Sequence, residues 1–125
     1  MDLIIEYIAS VTTIDETDYA NKKSVKQHNK LADRLRVIAF EIEHTHPEMK
    51  QRFYDLLSHE KATVRLWVAH HILEVMNYDN VCREKALKEI SYVSENNDGV
   101  DGIGNRMWLE HWLNEHLSDR DLLKI

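Results

Sequence analysis

The stretch that most restricts the fold is residues 56–73, Leu-Leu-Ser-His-Glu-Lys-Ala-Thr-Val-Arg-Leu-Trp-Val-Ala-His-His-Ile-Leu. It reads as the end of one helix, a tight turn and most of a second helix. Placed at roughly 100° per residue, Val64, Val68, Ala69, Ile72, Leu73, Val75 and Met76 fall on one broad apolar arc. An arc wider than a two-position seam needs more than one neighbour to cover it, so this helix is expected to sit between two others. Arg65 points into the arc. A guanidinium there is costly unless paired, which predicts a contact with a carboxylate or with the helix-end carbonyls of the turn. Glu60 is the nearest carboxylate, and Arg65 with Glu60 is the expected buried charge pair.

Leu56-Leu57, a short turn, Val64-Arg65, Val68-Ala69 and Ile72-Leu73 together resemble a HEAT-type helical repeat. That motif places Val-Arg at the start of its second helix and Asp-Pro in the turn. His59-Glu60 stands in the turn here, so the motif's pairing of aspartate with arginine would pass to Glu60. The layout of the whole chain is also similar to a small bacterial family, the domain of unknown function twenty-nineteen. The shared features are a long polar helix, the Val64-Arg65-Leu66-Trp67 repeat, an Ala86-Leu87-Lys88-Glu89-Ile90 helix and a closing Met107-Trp108-Leu109-Glu110-His111-Trp112 helix. The resemblance implies a HEAT-like α-helical fold, and it transfers no catalytic residue.

Composition points the same way. With 3 Gly and 1 Pro in 125 residues, a turn-rich β architecture is disfavoured. A chain of this length buries roughly two thirds of its unfolded surface and holds a core of its own, so a single domain over residues 1–125 is expected. The formal net charge of −6 argues against nucleic acid or an anionic membrane as the main partner, because a phosphate backbone needs a clustered basic face. A cationic protein is the easier partner. Cys82 is the only cysteine, so no internal disulfide forms and a reducing compartment is the simpler assumption. Asp2 and Glu6 among the first apolar residues fit neither a signal peptide nor a membrane span, and a cytoplasmic location is expected.

Along the chain, Ile4, Tyr7, Ile8, Val11 and Ile14 form a one-sided helix. Leu31, Leu35, Ile38 and Ile42 mark a longer one, with Ala32 and Ala39 beside the stripe and a solvated, mixed-charge segment 22–30 ahead of it. Pro47 stops that helix and opens a short third one, whose buried side is Met49, Phe53, Leu56 and Leu57. Asp79 or Asn80 caps a helix with Ala86, Leu87, Ile90 and Val93 turned inward. Residues 95–102, with two of the three glycines, read as a flexible loop. The last helix, at 105–117, presents Trp108, Leu109, Trp112, Leu113 and Leu117 to the core.

Eight histidines invite a metal hypothesis, but the spacings do not support one. There is no His-Glu-x-x-His pair and no cysteine cluster. Glu41-x-x-His44 and Glu43-x-x-His46 match the step used by di-iron bundles, yet both overlap at one helix end, where solvated residues favoured by the helix dipole are expected instead. No phosphate loop, nucleophile elbow or paired-carboxylate motif is present. Trp67, His71, Glu74 and Tyr78 form a stripe opposite the apolar arc. Such a stripe is either covered by another helix or a recognition surface, since Trp, Tyr and flanking charges are what interface hot spots use.

The expectation is therefore an all-α domain of about six helices in antiparallel pairs, a short HEAT-like solenoid. It has no catalytic residue, metal or cofactor, and Trp67, His71, Glu74 and Tyr78 form its partner-binding face. Small size and acidity are shared with immunity proteins that neutralise basic toxins. The alternative is a small metal-dependent or hydrolytic enzyme whose His and Glu residues converge in a cleft, and the surface around Glu110 and Glu115 is the second-choice binding face.

Overall fold

The computed structural model describes residues 2–123 and is all-helical over them. Helix α1 spans Leu3–Asp15 and α2 Lys22–His44. A 3-10 turn at Pro47–Met49 leads into α3, Lys50–Asp55, and a second at Leu56–Ser58 ends it. Helices α4, Ala62–Glu74, α5, Asn80–Asn96, α6, Val100–Glu115, and α7, Leu117–Leu123, complete the stack. The count is seven where the sequence suggested six, because His116 breaks the last segment in two.

Local chemistry explains most of these boundaries. Asp2 caps α1 through Ile4 and Ile5 N–H, Asn21 caps α2 through Lys23 and Ser24 N–H, and Asp79 caps α5 through Cys82 N–H. Pro47 takes the first position of its 3-10 turn, where a missing N–H costs nothing. His59 adopts an extended conformation and its Nδ1 accepts from Lys61 N–H, which fixes the turn before α4.

The helices form two layers. Asp2 to Arg52 and Lys85 to Ser58 tie α1, α3 and α5 along one side, while residues of α2, α4 and α6 share a groove on the other. Glu6–Arg34 and Thr17–His28 contacts fix α1 antiparallel to α2, and Arg106 donates to the Ser94 carbonyl between α5 and α6. Between the layers, Tyr7, Phe53, Leu35, Ile38, Ile42, Val64, Val68, Ile72, Leu87 and Ile90 have no exposure. Tyr7 and Phe53 meet edge to face at 5.0 Å, a geometry worth about 0.5–1.5 kcal/mol beyond the area it buries.

Arg65 is half-buried rather than sunk in the core. Its Nη1 donates to the carbonyls of His59 and Glu60 at 2.7 and 3.1 Å, and its Nε to Glu89 Oε1 at 3.1 Å. The expected carboxylate is thus corrected from Glu60, whose side chain lies in solvent, to Glu89 on α5. Sequence proximity pointed at Glu60, but the guanidinium reaches across to the helix packed against α4. Glu43 also departs from the solvated helix-end reading. It pairs with Lys50 at 2.7 Å and accepts from Asn77 N–H at 2.8 Å, clasping the chain as it leaves α4.

The expected loop at 95–102 shrinks to residues 97–99, and Leu117 is exposed rather than buried. Gly102 lies inside α6 for steric reasons. A Cβ there would stand 1.6 Å from the Asn97 carbonyl oxygen, whereas one at Gly104 meets nothing within 4 Å. Gly102→Ala is therefore expected to destabilise by about 1–3 kcal/mol through overpacking against backbone. Gly104→Ala should stabilise by about 0.5–1 kcal/mol by restricting the unfolded chain and favouring helix. Urea denaturation of the two variants side by side checks this, and equal midpoints would refute the close approach at Gly102.

Candidate functional site

Helix α4 forms the floor of the groove. Its turn-by-turn positions Thr63, Leu66, Trp67, His70 and Glu74, with His71 beside them, face a cavity of about 570 Å³. One wall comes from α2, where Ala32, Asp33 and Arg36 follow the same helical spacing, and the other from α6, where Asp101, Asn105 and Trp108 do. The end of α1 and Tyr19 close one end. The volume lies within the roughly 300–1,000 Å³ typical of ligand pockets.

Specific bonds hold the floor against the walls. Thr63 Oγ1 donates to Asp15 Oδ2 at 2.7 Å. Asn105 Nδ2 donates to the Asp101 carbonyl, which turns its Oδ1 toward His70 Nε2 at 2.7 Å. His70 and Trp108 meet in a T-shaped contact, 4.4 Å between ring centres, and His70 Nδ1 lies 3.4 Å from Glu74. Trp108 in turn stacks on Trp112, so the aromatic lining continues into the α6–α7 packing.

His71 is 4% exposed, and its Nδ1 is 2.6 Å from the hydroxyl of Tyr7, itself fully buried. Burial raises the Tyr7 phenol well above its ordinary value, so it keeps its proton. Among the described residues that hydroxyl has no other partner, so it donates to Nδ1. The imidazole is then the Nε2–H tautomer. Burial also pushes His71 down to about 4, offsetting the nearby Glu74 carboxylate, and the ring is neutral at pH 7. Nε2–H therefore remains as a fixed donor on a ring that lines the groove, with no protein acceptor among the described residues.

The charges lining the groove are unbalanced. Asp15, Asp33, Glu74 and Asp101 face one guanidinium, Arg36. Burial pushes the Glu74 carboxyl up, but His70, His71 and Arg36 outweigh it and hold the group below its ordinary value. Asp33 and Asp101 carboxylates have no ion-pair partner among the described residues.

Of the four residues picked out as a binding stripe, the groove contains Trp67, His71 and Glu74 but not Tyr78. Helix α4 ends at Glu74, so the angular step that aligned Tyr78 with them stops short of it. Tyr78 instead packs near Tyr54 with the Lys50 ammonium over its ring, and its hydroxyl donates to the Lys50 carbonyl at 2.9 Å. Asp33, Arg36, Asp101, Asn105 and Trp108 were missed. Periodicity marks Asp33 and Arg36 as polar positions, but nothing in the sequence says that α2 turns that side toward α4.

His71 is not arranged to take a proton from the groove. A histidine steered by a second residue resembles a general base, but His71 presents N–H, not a lone pair, to the groove. Burial pushes the Cys82 thiol up to about 11, away from nucleophilic use, and it does not line the groove. Among the described residues, no group of three or more His, Cys, Asp or Glu converges as metal ligands, and no helix is long and apolar enough to cross a membrane. Compared with family models, curated proteins and solved structures, the chain has no match.

Proposed function

We propose that the protein is a non-catalytic interaction domain that binds a cationic protein partner in the α2–α4–α6 groove. One observation carries this reading: four carboxylates against one guanidinium in a cavity whose floor and wall are Trp67 and Trp108. Such a surface attracts positive charge from a distance, and its aromatic area gives holding contacts once it is desolvated. The resemblance of 56–73 to a HEAT-type repeat supports it, since scaffolds of that kind present one layer of helices to another protein. An immunity-type role against a basic toxin is the form of this function that the overall acidity favours.

Affinity capture from the native organism, followed by binding of the purified partner, tests the proposal. The partner should be basic, and its association should slow steeply as salt rises. Trp67→Ala and Glu74→Lys should each weaken the complex by at least about tenfold, as hot-spot positions do. Wild-type affinity in both, with circular dichroism unchanged, would remove the groove from consideration and move attention to Glu110 and Glu115.

A further inference from the structure

We infer that the groove is an anchor site for one arginine residue of the partner chain, held through both its guanidinium and its backbone carbonyl. This rests on the groove being the partner-binding surface and specifies what enters it. The acceptors are Asp33 on α2, Glu74 on α4 and Asp101 on α6, which line the groove from three helices. A planar guanidinium with five N–H groups serves several separated carboxylates at once and stacks on indole, where an ammonium acts as a point charge. Trp67 and Trp108 supply the indole surface.

The second observation is independent of the carboxylates. His71 is buried, and its bond to Tyr7 makes it the Nε2–H tautomer, a neutral donor with no acceptor among the described residues in a cavity where four carboxylates outnumber the single guanidinium of Arg36. A bare cation has nothing to offer that donor. A residue within a polypeptide does, because its carbonyl oxygen accepts from Nε2–H while its side chain reaches the carboxylates. The ring is uncharged, so the one like charge a guanidinium meets in the groove is Arg36, near Glu74 and His71, against the four carboxylates.

Three small probes separate these contacts in the intact protein, each titrated through the millimolar range with tryptophan fluorescence and NMR shifts as readouts. Nα-acetyl-arginine methylamide carries both groups, n-butylguanidine lacks the carbonyl at the same charge, and Nα-acetyl-citrulline methylamide lacks the charge. Saturable binding of the first is expected. n-Butylguanidine should bind roughly 3- to 10-fold more weakly, the loss of one hydrogen bond, and the citrulline compound should show no saturation. The double variant Asp33→Asn/Asp101→Asn changes two exposed side chains without disturbing the core, and it should abolish arginine binding.

Equal binding of the arginine and citrulline compounds, or full binding to the double variant, overturns the anchor. So does the absence of any binding by the arginine compound. If that absence accompanies loss of the captured partner in Trp67→Ala, the anchor alone fails and the groove remains the interface. Wild-type partner affinity in Trp67→Ala and Glu74→Lys removes the groove reading and the anchor with it.

Discussion

Asp119→Ala is expected to cost about 3–5 kcal/mol, the usual effect of removing one member of a buried ion pair. Asp119 is 2% exposed on α7, and it accepts three hydrogen bonds. Arg83 of α5 donates through Nε at 3.0 Å and Nη2 at 2.6 Å, and Trp112 of α6 through Nε1 at 2.8 Å. Alanine would leave a mostly buried guanidinium and an indole N–H without an acceptor. Trp112 is itself held between Trp108 and His116, so the loss would spread into the aromatic column. Urea denaturation followed by tryptophan fluorescence reads the change.

A companion variant separates the pair from its packing. Arg83→Leu/Asp119→Leu removes both charges and replaces them with apolar volume, an exchange that is often close to neutral. It should recover most of the loss and retain a deficit of about 1 kcal/mol for the Trp112 N–H. A single variant as stable as wild type would mean that α7 docks without this pair. If only α7 detaches, hydrogen exchange would show lost protection confined to residues after about 115, and the fluorescence change would precede global unfolding.

The all-α class and much of the core were legible because one-sided helices state their buried face. Ile4, Tyr7, Val11 and Ile14 dock as their spacing requires, and so do Leu35, Ile38 and Ile42. Boundaries were less legible where two causes give the same residue. Gly102 reads as loop chemistry, yet it serves close packing inside α6, and sequence alone does not separate those uses. Tyr78 was misplaced because the end of α4 is set by Glu43 and Lys50 from elsewhere in the chain, not by a local breaker.

The groove was half legible for a related reason. Trp67, His71 and Glu74 lie on one helix, where angular arithmetic suffices. Asp33 and Asp101 join them only through the rotation and register of α2 and α6 about α4. Those are fixed by tertiary contacts such as Glu6–Arg34 and His70–Asn105, each joining residues far apart in sequence. The Tyr7–His71 bond belongs to the same class. It joins residues 64 positions apart, and Tyr7 read alone is only one more member of an apolar stripe.

Burial of the His71 ring makes stability depend on pH at an unusually high pH for a chain so rich in carboxylates. His71 titrates near 6.5 when unfolded and at about 4 when folded, so between those values the unfolded chain binds the extra proton. Stability therefore falls as pH drops through that window, by up to about 1.4 kcal/mol per unit and about 3 kcal/mol in all. The groups facing the ring are Tyr7 on α1, Arg36 on α2, and His70 and Glu74 on α4. Burial dominates, offsetting Glu74, and protonation would also turn the Tyr7 hydroxyl away from its only acceptor. The lowered carboxylates Asp119, Glu43 and Glu74 act elsewhere: their contribution is present above their unfolded values and is lost only as pH falls below about 4.5. Urea midpoints at pH 7, 6 and 5 thus fall mostly above the carboxylate range and inside the window of His71. Tyr7→Phe/His71→Phe, which removes both polar groups together and so leaves neither orphaned, should flatten the dependence over that range. A wild-type midpoint unchanged from pH 7 to 5, or a double variant with the wild-type slope, would show that His71 is not the buried neutral ring that the Tyr7 bond requires.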